Sequence, residues 1–147
     1  MNTAIETSNK RFFVKYSNQN VEFIGAESRD VKCGEIWMAS LPVQNGSVQG
    51  GYRPVFIISN DKNNHYSTVI NVIPMTTKMN KRNLPCHVEI WDYEKYGLTS
   101  PSTLLVEQIS TIRKDDLKYY IGKITDIDMF MRIYRAMQSQ FPVLDIK

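Results

Sequence analysis

The texture of apolar and polar positions changes once along this chain. Up to about residue 31 the sequence is polar and holds no sustained period, with Arg11, Phe12, Phe13, Val14 and Tyr16 as the place for a short strand or helix packed on the outside. From Gly34 onward short apolar runs alternate with turn residues, as they do in a compact β domain. Residues 1–31 therefore read as an N-terminal extension, flexible or packed outside, and residues 32–147 as one domain. Strands are predicted over Glu35 to Ala39, Val55 to Ser59, Thr68 to Met75, His87 to Trp91, Thr103 to Gln108, Ile109 to Ile112 and Ile121 to Ile124. The third is apolar on both faces, at Val69, Ile70, Val72 and Ile73, and should be central. Asn60 to Asn64 reads as a turn, because Asn and Asp bond their own backbone.

The last segment has a different period. Ile127, Phe130, Tyr134, Met137 and Phe141 recur at helical steps, Thr125 is a suitable cap, Asp126 and Asp128 suit the first turn, and Pro142 marks the end. The aromatic stripe reads as core or dimer surface. The pattern predicts a mainly β domain: a small, curled antiparallel sheet with one C-terminal α-helix.

Composition narrows the class. With 147 residues, 42% of them hydrophobic and 22% charged, the chain suits one soluble domain able to hide roughly 68–70% of its unfolded surface. No apolar run reaches the ~18 residues of a membrane span, and the first twenty residues lack a secretory core, so a cytoplasmic protein is expected. Cys33 and Cys86 fit no Cys-x-x-Cys pattern, and with only His65 and His87 to join them no tetrahedral metal spacing is visible. No metal and no cofactor are expected. A net charge of +3 is compatible with a polyanionic partner and decides nothing alone.

Candidate chemistry concentrates in two places. In Gln49-Gly50-Gly51-Tyr52-Arg53-Pro54-Val55, two glycines permit a close approach and Pro54 holds Arg53 extended, specifying its backbone beyond what a solvated surface charge needs. Pro74-Met75-Thr76-Thr77-Lys78 closes the central strand with two hydroxyls and opens a basic stretch with Lys81 and Arg82. Adjacent strand residues face opposite ways, so Thr76 and Thr77 cannot both reach one groove.

These residues carry a family likeness. Gly34-Glu35-Ile36-Trp37, the Gln49 to Val55 run, Ser59-Asn60-Asp61, Leu84-Pro85-x-His87-Val88-Glu89-Ile90 and Leu104-Leu105-x-Glu107-Gln108-Ile109-x-Thr111-Ile112 stand in order. Across Gly34 to Phe141 the sequence resembles the MazF/PemK toxins of toxin–antitoxin modules. The resemblance implies an SH3-like antiparallel barrel, a homodimer, and metal-independent cleavage of single-stranded RNA at short sequence motifs. It implies a MazE/PemI-like antitoxin as partner, and contact with operator DNA only through that antitoxin. By motif, the catalytic residues fall on Arg53 and Thr76.

Cleavage without a metal uses the neighbouring 2′-hydroxyl as nucleophile and yields a 2′,3′-cyclic phosphate and a 5′-hydroxyl. A guanidinium suits the crowded phosphorane because it stays charged and grips two oxygens at once. The acid–base group is open. Val48 stands where relatives often carry a carboxylate, which leaves Glu107 as the nearest candidate for proton transfer, while His87 reads as structural. Ser110 stands where relatives often carry Arg. Gln49, Gly50, Gly51, Tyr52, Thr77, Lys78 and Gln108 are the expected RNA contacts, with Tyr52 and the loop Gln44 to Gln49 as surfaces for stacked bases. Two other readings remain open: a non-enzymatic gyrase-poisoning toxin on the same fold, and a catalytically impaired RNA-binding regulator.

Overall fold

A computed structural model describes residues 2–7, 10–17, 20–28, 30–42, 46, 49–79 and 84–146, the first three stretches as backbone. Ser47, Val48, Lys81 and Arg82, and most of the loop from Gln44 to Gln49, lie outside the described residues. The N-terminal stretches form a three-stranded antiparallel meander, β1 (Asn2–Thr7), β2 (Lys10–Ser17) and β3 (Asn20–Ser28), in that order. The aromatic segment expected as a strand or helix is β2.

A second, seven-stranded sheet holds β4 (Glu35–Leu41), β5 (Gly51–Ile57), β6 (Val69–Thr76), β7 (His87–Ile90), β8 (Ser102–Leu105), β9 (Ser110–Arg113) and β10 (Leu117–Lys123). Every pairing is antiparallel, in the order β10-β4-β5-β6-β8-β7, with β9 also on β6. The path ends at β10 and β7, so among the described residues the sheet curls without closing as a full barrel would.

The central strand β6 forks the sheet. Along one edge it meets β5; along the other it pairs β9 over Val69 to Val72 and β8 over Met75 and Thr76. The chain between β8 and β9 cannot stay extended across that gap. The single strand expected over Thr103 to Gln108 therefore breaks after Leu105 into a 3-10 turn, Val106–Gln108.

Alternation along the strands divides the core between two faces. Ile36, Phe56, Ile73, Met75 and Leu104 pack beneath α2 (Ile127–Gln140), while Trp37, Val55, Ile57, Ile70 and Val72 form a second cluster on the opposite face. The helix settles in a different phase from the expected stripe. Met129, Ile133 and Ala136 are buried and Met137 and Phe141 pack against them, but Ile127, Phe130 and Tyr134 are exposed. The same period fits both phases, and the shape of the sheet selects the one with smaller side chains.

Two boundaries differ from expectation for reasons of hydrogen bonding. Asp126, not Thr125, caps α2, accepting from the Met129 amide at 3.3 Å and from the Tyr96 hydroxyl at 2.9 Å. Asn60 to Asn64 is no simple turn, because Asn60 caps the Asn63 amide at 2.8 Å and starts the short helix α1 (Asp61–Tyr66). No helix among the described residues is long and apolar enough to cross a membrane.

Candidate active site

Arg53 is positioned by its own strand. Gly51 opens β5 at φ +77°, with no neighbour within 4 Å of a would-be Cβ, so backbone conformation rather than space calls for glycine. That turn aims the Gly50 carbonyl at Arg53, whose Nε donates to it at 2.8 Å. The terminal guanidinium nitrogens hold no partner among the described residues.

Strand register then selects a partner. β5 meets β6 through Val55↔Pro74, Phe56↔Ile73 and Ile57↔Val72. The ladder ends at Val55↔Pro74; continued by two residues, the same register would bring Arg53 across from Thr76. Thr76 is in turn paired with Thr103 of β8, and Thr103 with Glu89 of β7; His87 faces Leu105 one step along. The Thr76 oxygen accepts the Lys78 amide at 3.1 Å, which leaves its hydroxyl proton to donate elsewhere.

A cavity of about 360 Å³ opens over this face, lined by Gly46, Gln49, Thr76, Lys78, His87, Thr103, Leu105, Glu107 and Gln108. A neighbouring cavity of about 320 Å³ shares Gln49, Glu107 and Gln108 and runs on past Pro74 and Ser110. Together they form a groove bordering the 3-10 turn. The Gln49 amide donates to Gln108 Oε1 at 2.8 Å, tying the entrance of β5 to that turn.

The opposite wall comes from residues distant in sequence. The Val106 amide donates to the Cys86 carbonyl at 3.1 Å and holds the turn against the start of β7. Glu107 Oε1 thereby lies 2.9 Å from His87 Nε2, with the His87 side chain only 8% exposed. Glu107 Oε2 is buried without a hydrogen bond among the described residues. Cys86 completes the cluster: one ligating atom from each of Cys86, His87 and Glu107 lies within 4.8 Å of the others. Burial, and after it the charge of Glu107, push the Cys86 thiol above its ordinary pKa.

The groove thus gathers Gln49, Thr76, Lys78, Glu107 and Gln108 from the residues expected in the site. Arg53, Gly50, Gly51, Tyr52 and Thr77 are not among its lining residues. Tyr52 is 71% exposed and alternates onto the other side of β5 from Arg53, and Thr77 is exposed beyond the end of β6. His87, read from the sequence as structural, lines the groove; its only sequence signal was its place in the Leu84 to Ile90 run. The 3-10 turn sets Glu107 beside Cys86 and His87, a neighbour that Cys and His spacing along the chain does not show.

Residues 32–141 match the family described as the PemK-like, MazF-like toxin of type II toxin–antitoxin systems. The chain belongs to that family. Endoribonuclease EndoA of Bacillus subtilis is 40% identical to this toxin over 117 residues, covering 78% of this chain and 97% of that one. The Mycobacterium tuberculosis toxin MazF-mt6 superposes with a TM-score of 0.61 at 25% identity, over 74% of this toxin and 96% of that chain. An endoribonuclease in complex with its cognate antitoxin from a mycobacterial species shares the fold, with a TM-score of 0.59 at 21% identity over 77% and 96% of the two chains. The matched region starts at residue 32, so the β1–β3 meander stands outside it.

Proposed function

We propose that this toxin is an endoribonuclease that cuts single-stranded RNA at short sequence motifs without a metal ion, using the 2′-hydroxyl beside the scissile phosphate. Membership of the PemK/MazF family and 40% identity to a Bacillus endoribonuclease support the RNA-cleaving part. The observation that supports the finer part is the β5–β6 register, which continued two residues beyond Val55↔Pro74 would bring Arg53 opposite Thr76, a residue that lines the groove.

In this reading the free end of the Arg53 guanidinium grips two non-bridging oxygens of the phosphorane, and its charge does what a bound cation does elsewhere. The Thr76 hydroxyl adds a neutral donor to the same group. Glu107, oriented by His87, is the proton acceptor for the 2′-hydroxyl, a role the residue at 48 cannot fill because it is Val. Gln49, Lys78 and Gln108 hold the strand along the groove. The products are a 2′,3′-cyclic phosphate and a 5′-hydroxyl, and the loss of mRNA stops translation and growth.

A second copy of this chain and a MazE/PemI-like antitoxin are the partners in this reading, in the cytoplasm. The antitoxin complex among the structural relatives supports the latter. Incubating the purified chain with a long, diverse RNA in EDTA and mapping the new 5′ ends tests the reading. Cuts at a recurring motif, abolished by a 2′-deoxy nucleotide at the cleavage position, are expected. RNA that is bound but left intact across many sequences would instead mark a regulator without catalysis.

A further inference from the structure

We propose that Cys86 Sγ, His87 Nε2 and a Glu107 carboxylate oxygen form a binding site for a divalent metal ion of the zinc class, and that the bound ion switches the toxin off. The site goes beyond the RNA-cleaving reading and rests on it only for the inhibitory consequence.

The geometry is close to what such an ion needs. His87 Nε2 and Glu107 Oε1 lie 2.9 Å apart, and one ligating atom from each of Cys86, His87 and Glu107 lies within 4.8 Å of the others. Zinc takes nitrogen and oxygen ligands at about 2.0–2.2 Å and sulfur at about 2.3 Å, so two ligands of one ion stand at most about 4.5 Å apart and a small contraction completes the site. Adjacent residues in a strand face opposite ways, but Cys86 sits in the turn before β7, which lets its thiol share the side of His87.

The surroundings favour an ion. Glu107 Oε2 is buried with no hydrogen bond among the described residues, and a cation beside the carboxylate offsets that cost. The cluster is held by two bonds that do not use the ligand atoms' metal-facing positions: Val106 N–H to the Cys86 carbonyl, and the Gln49 amide to Gln108 beside Glu107. A mixed sulfur, nitrogen and oxygen set selects zinc-like ions over Mg²⁺ and Ca²⁺, which take oxygen alone. On binding, the thiol proton leaves to solvent and His87 ligates as neutral imidazole through Nε2, with its ring proton on Nδ1.

Three protein ligands leave a fourth position facing the cavity that Thr76 and Lys78 also line. An ion there holds Glu107 as a ligand, so the carboxylate no longer accepts a proton from RNA, and it occupies the floor of the groove. The outcome is inhibition rather than catalysis by the metal.

Co²⁺ titration of the full chain carrying Cys33→Ser tests the site, because that substitution leaves Cys86 as the sole thiol. One Co²⁺ per chain is expected, with thiolate-to-cobalt absorption in the near ultraviolet that Zn²⁺ displaces and that Cys33→Ser/Cys86→Ser lacks. No absorption from Cys33→Ser at saturating Co²⁺, or a band that survives loss of Cys86, overturns the site. RNA cleavage is then compared in EDTA and with one equivalent of Zn²⁺. Zinc should stop the wild-type chain and leave Cys86→Ser cutting; zinc that binds while cleavage continues overturns the inhibitory role. RNA left intact in EDTA sinks the endoribonuclease reading instead, and the cobalt spectra still decide the site.

Discussion

The two walls of the groove are built in different ways. On one, Arg53 and Thr76 sit on neighbouring strands, whose register, continued two residues past Val55↔Pro74, would bring them opposite each other. On the other, His87 and Glu107 are twenty residues apart, on a strand start and a 3-10 turn that exists because β6 forks the sheet. The first wall offers positive charge and a hydroxyl donor; the second offers a carboxylate, an imidazole and a thiol. One wall suits stabilising a phosphorane, and the other suits moving a proton or holding a metal. The contrast shows how a short sheet places opposite chemistries across one cavity: ladder register supplies one half, and a break in the ladder supplies the other.

Removing the charge on the first wall should have the largest effect. Arg53→Ala is expected to lower single-turnover cleavage by about 10³- to 10⁵-fold, the range seen when an arginine that stabilises a phosphoryl transition state is lost. Arg53→Lys should recover little of it, because a point charge cannot reproduce the planar fork. Near wild-type rates for Arg53→Lys would show that charge alone suffices.

The second wall should come next. Glu107→Gln removes the proposed proton acceptor and keeps the shape, and a loss of ~10²- to 10⁴-fold is expected, with the pH dependence of the rate flattened. An unchanged pH profile would assign Glu107 to structure and return the proton acceptor to a group elsewhere. Thr76→Val should cost ~10²- to 10³-fold through one lost donor, measured as cleavage rate with RNA binding nearly intact.

The smallest effect should fall outside the groove and touch stability alone. Asp126 caps α2, and although its burial acts to raise its pKa, the bonds from Tyr96 and from backbone amides, with Lys95 nearby, hold it below the ordinary Asp value. A carboxyl depressed in the folded state binds fewer protons there than in the unfolded chain. Its stabilisation is therefore full above the unfolded Asp value, near about pH 4, and fades as pH falls through the folded one. Asp126→Ala should cost about 1 kcal/mol in urea unfolding at pH 7, and the gap to wild type should narrow in acid. Cleavage by this variant at pH 7 should match wild type, in contrast to the substitutions at Arg53, Glu107 and Thr76.

Much of this molecule was written in local sequence. Short apolar runs marked part of each strand of the main sheet, although β5 and β10 each open four residues before the expected Val55 and Ile121; the 3.6-residue period located α2, and Gly50-Gly51 before Arg53-Pro54 marked a backbone built for one side chain. These are short-range properties, decided by sterics and periodicity within a few residues; Arg53 stood out by its Gly-Gly and Pro neighbours, while the family motif singled out Thr76. The phase of α2, the fork at β6 and the break at Leu105 depend on what packs from elsewhere in the chain, and no local pattern encodes them. For that reason His87, which lines the groove, read from the sequence as structural. Only the folded sheet joins Cys86 and His87 to Glu107, because a ligand set is a matter of distances in space, and the turn that supplies its third member forms where the ladder can no longer continue.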